Sequence, residues 1–102
     1  MMTMLHDHDR VPDGIRKALE NYGKHGLRPG SCTEAILSGD LFLACAHADD
    51  DVIAVLPAIV GWIRTYLPNG SYGSPLIVEA WISARLAERR AAMAAVRAES
   101  KR

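Results

Sequence analysis

The sequence predicts an all-α domain, a compact bundle of about five helices, from three observations. Apolar residues recur at spacings of three and four in the longer segments, which is the period of an α-helix. Residues that favour helix starts precede those segments, and clusters of Gly, Pro, Asn and Ser separate them. The hydrophobic fraction of 49% is ample for a core in a chain of 102 residues, which is the length of one domain.

The first predicted helix covers Val11–Gly26. Ile15, Leu19 and Tyr22 fall on one narrow apolar stripe, so we expect a helix on the surface of the bundle. Residues 1–10 show no periodicity and are expected to form a flexible arm.

Two short helices are predicted in the middle of the chain, with a corner at Ser38-Gly39-Asp40 between them. Ser31 or Thr33 is expected to cap the first, and Glu34 would complete a capping box with Ser31. Asp40 is expected to cap the second.

The second short helix, Leu41 to Ala46, is apolar on all sides, and a helix of that kind is usually buried. We therefore place it in the middle of the core, with Phe42 and Cys45 as filling residues. On this prediction, Leu41→Asp or Phe42→Asp should unfold the domain.

The central helix is predicted as one continuous element, Val52–Leu67, with a kink at Pro57. Its apolar stripe is so wide that nearly all of it should be covered. Asp49, Asp50 and Asp51 precede it and are expected to cap it, so that Asp50→Ala would cost about 0.5–2 kcal/mol.

The last helix opens at Ser74-Pro75, where the serine acts as N-cap and the proline takes the first helical position. Residues 11–86 form the predicted helical domain, and residues 87–102 are either a helical extension or a fraying tail. Fraying near Arg90 is favoured, because the segment has little to bury; in the alternative, Met93 and Val96 meet a partner. That partner would be acidic, since six Arg/Lys face two Glu from Arg85 onward.

Composition excludes several classes of protein. Twelve basic and twelve acidic residues give no net charge, so nothing in the overall field favours nucleic acid or anionic membranes. A helix-turn-helix reading would need basic residues in Leu41–His47, and there are none. No signal sequence and no membrane span is visible, so we expect a cytoplasmic protein with two reduced cysteines.

The patterns that suggest chemistry have structural explanations that we favour. His-Asp-His-Asp at positions 6–9 could hold a metal ion, but a solvated tail is the preferred interpretation. The three aspartates lack the spacing of a calcium loop. The loop Gly70–Ser74 lacks a phosphate-binding fingerprint. Cys45 and His47 do not face each other on a helix, which argues against an enzyme. We predict no cofactor and no metal.

Between Val11 and Ile82 the chain carries Pro-Gly at 29–30, Ala-Ile-Leu at 35–37, Asp-Leu at 40–41, Ala-Asp at 48–49, Leu-Pro at 67–68, Gly-Ser-Pro at 73–75, Val78 and Trp81. This pattern resembles a family of small uncharacterised phage and prophage proteins, over about seventy residues. It departs from the family at Ser31-Cys32-Thr33, at Gly39 and at Ser71-Tyr72. The resemblance implies a small, helical, cytoplasmic protein and no particular activity.

The leading functional prediction is a non-enzymatic interaction protein, for example a phage accessory or anti-defence factor that binds a host protein. The alternative is an oligomeric small-ligand or nucleotide-binding protein that uses Arg64 and the loop Gly70–Ser74. A homo-oligomer is compatible with both. The candidate partner-binding residues are Tyr22, Arg64, Tyr66, Tyr72, Arg85, Arg89 and Arg90. For each tyrosine, a half-buried packing role is favoured over an anchor role.

Overall fold

In a computed structural model of the chain, residues 8–100 are described, and the side chains of residues 9–99. The described residues form helices joined by turns and short irregular segments, and they contain no strand. A 3-10 helix at His8–Arg10 precedes six α-helices. Their bounds are α1 Asp13–His25, α2 Ser31–Leu37, α3 Leu41–His47, α4 Asp50–Ala54, α5 Leu56–Tyr66 and α6 Pro75–Ser100.

The predicted all-α class is confirmed, and the helix count differs because the central helix is two helices. Val55 has φ −110° and ψ 13°, which ends α4 and starts α5. Pro57 lies in the first turn of α5, where the N–H that proline lacks would have no partner within the helix. The expected kink inside one continuous helix was therefore wrong, and the axis breaks two residues earlier.

The core is formed mainly by α1, α5 and the first half of α6. α5 contributes Ala58, Ile59, Trp62 and Ile63, as its periodicity predicted. The remaining core residues come from elsewhere along the chain and include Val11, Leu19, Tyr22, Leu37, Leu67, Val78 and Ile82. The His8–Arg10 helix packs against α5, so this part of the expected arm is ordered; residues 1–7 lie outside the described chain.

Tyr22 connects three parts of the fold. Its hydroxyl donates a hydrogen bond of 2.6 Å to the carbonyl oxygen of Ser71, in the loop before α6. Its own carbonyl oxygen accepts a hydrogen bond of 3.0 Å from Nε1 of Trp81 on α6. Burial of the side chain, with a smaller effect of the Glu34 and Glu79 charges, raises the pKa of Tyr22 to about 12.

Glycines allow two close approaches in this arrangement. Gly26 ends α1 with φ 67°, and a Cβ there would overlap the side chain of Arg85 on α6. Gly39, at φ 75°, forms the corner between α2 and α3 beside the carbonyl oxygen of Gly73. The Gly73 N–H in turn donates 2.8 Å to the Leu37 carbonyl oxygen, which fixes the loop before α6 to the end of α2.

The sequence predicts a capping residue for four helices, and the structure confirms the predicted residue type and place for three of them. The Asp40 carboxylate accepts 2.9 Å from the Leu43 N–H, and the Asp49 carboxylate accepts 2.9 Å from the Val52 N–H. Ser74 Oγ accepts 3.2 Å from the Ile77 N–H at the start of α6. At α2 the prediction was wrong: Gly30 is the N-cap residue, with φ 107° and no side-chain cap, and Ser31 is already helical.

The expected capping box at Glu34 is replaced by an ion pair. Arg28 Nη1 lies 2.8 Å from Glu34 Oε1, and its Nη2 lies 2.7 Å from Glu79 Oε1. The hydrogen bond from Arg28 lowers the pKa of Glu79, and the same bond raises the pKa of Arg28. All three side chains are partly exposed, so this pair contributes little to stability.

The last helix continues without a break to Ser100, past Arg90, where the sequence favours fraying. At a rise of 1.5 Å per residue, its 26 residues span about 39 Å. Every residue from Arg90 to Glu99 is exposed. The side chains of this part of α6 are therefore accessible to solvent.

Replacing Tyr22 with Phe should cost about 1–3 kcal/mol of unfolding free energy at neutral pH, because the buried Ser71 carbonyl loses its partner. A folded-state pKa above the ordinary value of 10 means that Tyr22 stabilises the fold below pH 10. That contribution is lost as the pH rises to about 12. The difference between wild type and Tyr22→Phe in urea unfolding should therefore shrink between these two pH values. A difference that stays constant over this pH range would contradict the buried Tyr22 hydrogen bond.

Asp49→Ala should destabilise the protein by about 0.5–2 kcal/mol, because Asp49 accepts the Val52 N–H. Asp50 lies inside the first turn of α4 and makes no such bond in the structure, so Asp50→Ala is the matched control and should cost less. Chemical denaturation of both variants compares them directly. Of the three aspartates that the sequence analysis expects to cap this helix, only Asp49 does so through its side chain, and a larger loss with Asp50→Ala would contradict that assignment.

Candidate protein-binding site

The α3 helix presents its apolar side chains to solvent. Only Ala44 is buried, where α3 packs against α2. Phe42 is 89% exposed and Leu41 is 61% exposed, while Leu43 and Cys45 are also exposed. The placement of this helix at the centre of the core was therefore wrong. We refer to Leu41, Phe42, Leu43, Cys45 and Ala46 as the α3 surface.

The reason for this exposure lies in the length and position of α3. It has seven residues, about two turns, and is held at its start by the Asp40 cap. One side of so short a helix packs on α2, and no other element of the described chain covers the opposite side. A sequence that is apolar all round indicates burial, but it does not say whether the covering surface belongs to the same molecule.

Two clefts flank the α3 surface. One, of about 160 Å³, lies between α3 and α5 and is lined by Ile36, Leu41, Ala44, Leu56 and Val60 with neighbouring backbone. The other, of about 330 Å³, lies between α3 and the start of α6 and is bordered by Leu43, His47, Pro75 and Val78. The smaller cleft is below the size of a typical ligand pocket and suits one inserted side chain.

Two further clefts contain sequence-predicted residues. Tyr66 lies against Trp62, with ring centroids 5.0 Å apart, and both border a cleft of about 380 Å³ between α1 and α5. Arg89 and Arg90 border a groove of about 670 Å³ along the second half of α6, beside Met93 and Arg97.

The other predicted site residues are dispersed. Tyr22 is fully buried, so its side chain is not available to a partner in this conformation, and Tyr72 packs against the core. Arg85 lies over the Trp81 ring at 4.5 Å and pairs with Glu88 at 3.1 Å. Arg64 is exposed on α5.

The structure gives the small-ligand alternative no specific support. Neither Arg64 nor any residue of the Gly70–Ser74 loop borders one of these four clefts. Among the described side chains, no group of three or more His, Cys, Asp or Glu residues is arranged to hold a metal ion. Within residues 8–100, no helix has both the length and the apolar character that a membrane crossing requires.

The two cysteines differ in their surroundings. Cys32 is half-buried and directs its thiol toward the Ala44 carbonyl oxygen at 3.9 Å, whereas Cys45 is exposed, and both are free. Burial is the main cause that raises the pKa of Cys32, with smaller effects of Asp49 and Cys45. A thiol with a raised pKa is a poor nucleophile at neutral pH.

Comparison with known proteins adds no relative: no family model, no curated protein and no solved structure matches the chain. The resemblance to small phage proteins remains a prediction from the sequence pattern.

Sequence reasoning missed the α3 surface as a site, although the signal was present. Leu41 to Ala46 contains no polar residue, and Asp40 and His47 lie immediately outside it. In a chain of this size, a short helix that is apolar on every side has few neighbours available to cover it. A short apolar helix that the rest of the chain does not cover indicates an interface with another molecule as readily as a place in the core.

Phe42→Asp should leave the free energy of unfolding within about 0.5 kcal/mol of wild type, because the side chain has no packing to lose. Ile59→Asp is the matched control: it places the same charge in the fully buried centre of α5 and should prevent folding. Thermal melts followed by circular dichroism distinguish the two outcomes. A Phe42→Asp protein that does not fold would return α3 to the core, as the sequence suggested.

Proposed function

We propose that the protein acts by binding another protein through the α3 surface and has no catalytic chemistry of its own. The observation that carries this proposal is the exposure of Phe42, the chain's single phenylalanine, at the centre of an apolar helix face. Large exposed aromatic side chains flanked by apolar residues are typical anchors of protein interfaces.

The expected gain supports the same proposal. Complete burial of a phenylalanine contributes about 1.5–3 kcal/mol, and Leu41 and Leu43 beside it would add to that contribution. The polar residues at the edges of the surface, Asp40, His47 and Asp49, match the wet polar rim that surrounds an apolar interface centre.

The identity of the partner rests on the resemblance to small phage proteins. We propose that the partner is a host protein in the host cytoplasm, and that the chain is a phage accessory or anti-defence factor that inhibits it. A protein of this kind needs only a complementary surface, which a helical domain of 102 residues provides.

The test is retention of a partner by the purified chain from a lysate of the cells in which it is naturally produced. Wild type should retain a specific protein, and Phe42→Asp should retain at least about tenfold less, since 1.4 kcal/mol corresponds to a factor of ten. Tyr66→Asp is the matched control, because it places the same charge on an exposed aromatic residue at the α1–α5 cleft.

Both variants must first show wild-type melting curves. An equal loss with Tyr66→Asp would move the binding site to the α1–α5 cleft. Wild type that retains no specific protein would contradict the proposed function.

A further inference from the structure

The charges of this chain are segregated although their sum is zero. Between Arg28 and Arg64 there is no Lys or Arg. The same stretch contains five acidic residues, which are Glu34, Asp40, Asp49, Asp50 and Asp51. It is also the stretch that forms α2, α3 and α4. From Arg85 onward the balance reverses to six basic residues and two glutamates. The α3 surface is therefore bordered by carboxylates, and the end of α6 is basic.

The second half of α6 is an amphipathic basic segment. Arg89, Met93 and Val96 follow one another at spacings of four and three, so they continue the helix face that begins with Val78 and Ile82. Val78 and Ile82 are buried in the core, whereas Met93 and Val96 are 57% and 58% exposed. The face that packs α6 onto the domain thus extends beyond the domain.

The α3 surface and this basic end cannot meet within one molecule. α6 begins next to α3, where Pro75 and Val78 border the same cleft as Leu43. Arg89 to Arg97 lie 11 to 19 residues beyond Val78, which is roughly 16 to 29 Å farther along the helix axis. A contact between the two surfaces therefore requires two copies of the chain.

We propose that the basic end of α6 in one copy docks on the α3 surface of a second copy. This inference rests on the proposed function, because it uses the same surface and gives it a second occupant that competes with the first. Met93 is of a size to enter the cleft of about 160 Å³ beside Leu41, next to Phe42. Arg89, Arg90 and Arg97 then face the carboxylates of Asp40 and Asp49–Asp51. The sequence predicted an acidic partner for this end of α6, and the chain itself carries an acidic rim.

The contact joins two different surfaces, so it is heterologous, and it builds head-to-tail assemblies that close into rings or remain open. Each open assembly keeps one unoccupied α3 surface at one end. Self-association and partner binding therefore compete for the same site.

Light scattering coupled to size-exclusion chromatography tests this arrangement with two variants, Phe42→Asp and Met93→Asp. The first removes the α3 surface and keeps the α6 end; the second does the reverse. Wild type should form oligomers that grow with concentration, and each variant alone should be a monomer. An equimolar mixture of the two variants should form a complex of only two chains, because one intact surface of each kind remains.

The matched control is a chain with both substitutions, which should pair with neither single variant. Arg97→Glu provides a second α6 variant at an exposed position of the helix and should weaken association at least tenfold. Circular dichroism of every variant establishes that it is folded before the comparison.

Three results would overturn the inference. Met93→Asp and Arg97→Glu chains that still dimerise alone would indicate an α3-to-α3 contact. Phe42→Asp that dimerises alone would indicate pairing through α6. Wild type that remains monomeric at several hundred micromolar would show that no second copy occupies the surface. In each case the lysate experiment still tests the proposed function. If the wild-type chain retains a different protein and Phe42→Asp does not, the proposed function holds even though the self-association does not.

Discussion

The hydrogen bonds at Tyr22 are the constraint on which the rest of the structure depends. The Tyr22 hydroxyl, on a side chain with no exposed surface, holds α1 to the loop at Ser71, and the Tyr22 backbone carbonyl accepts the hydrogen bond from Trp81 on α6. The Ser71 loop is in turn held to the end of α2 through Gly73 and Leu37. One residue of α1 is thus bonded to the loop before α6 through its phenol and to α6 itself through its backbone. Burial strengthens the hydrogen bond of the Tyr22 hydroxyl and also raises the pKa of that hydroxyl.

The loop before α6 and the end of α2 are fixed in this way, whereas α3 lies on the surface of the domain. It is attached through the Gly39 corner, the Asp40 cap and the single buried residue Ala44. The central core cluster of the described residues contains no residue of α3. Leu41, Phe42 and Leu43 are exposed instead, and the proposed binding site depends on this exposure.

Local features of the fold were predictable from the sequence because they depend on neighbouring residues. Asp40, Asp49 and Ser74 cap helices through bonds that span three residues, and the buried face of α5 follows from its period. Features that depend on distant contacts were not predictable. Whether α3 is covered depends on what packs against it, and the break at Val55 depends on how α4 and α5 fit the core. The candidate site belongs to this second group, so the sequence named Tyr22 and missed Phe42.

The separation of charge has a consequence for the molecule as a whole. A chain with no net charge ordinarily has little long-range interaction with its surroundings. Here five carboxylates lie in α2 and α4 or cap α3 and α4, whereas α6 from Arg85 onward carries four arginines and two glutamates, so the two signs of charge are unevenly distributed along the chain. An uneven distribution of charge orients a protein in the field of an approaching molecule before any atoms touch. The orientation of encounter is then set at a distance, by a property that the neutral composition conceals.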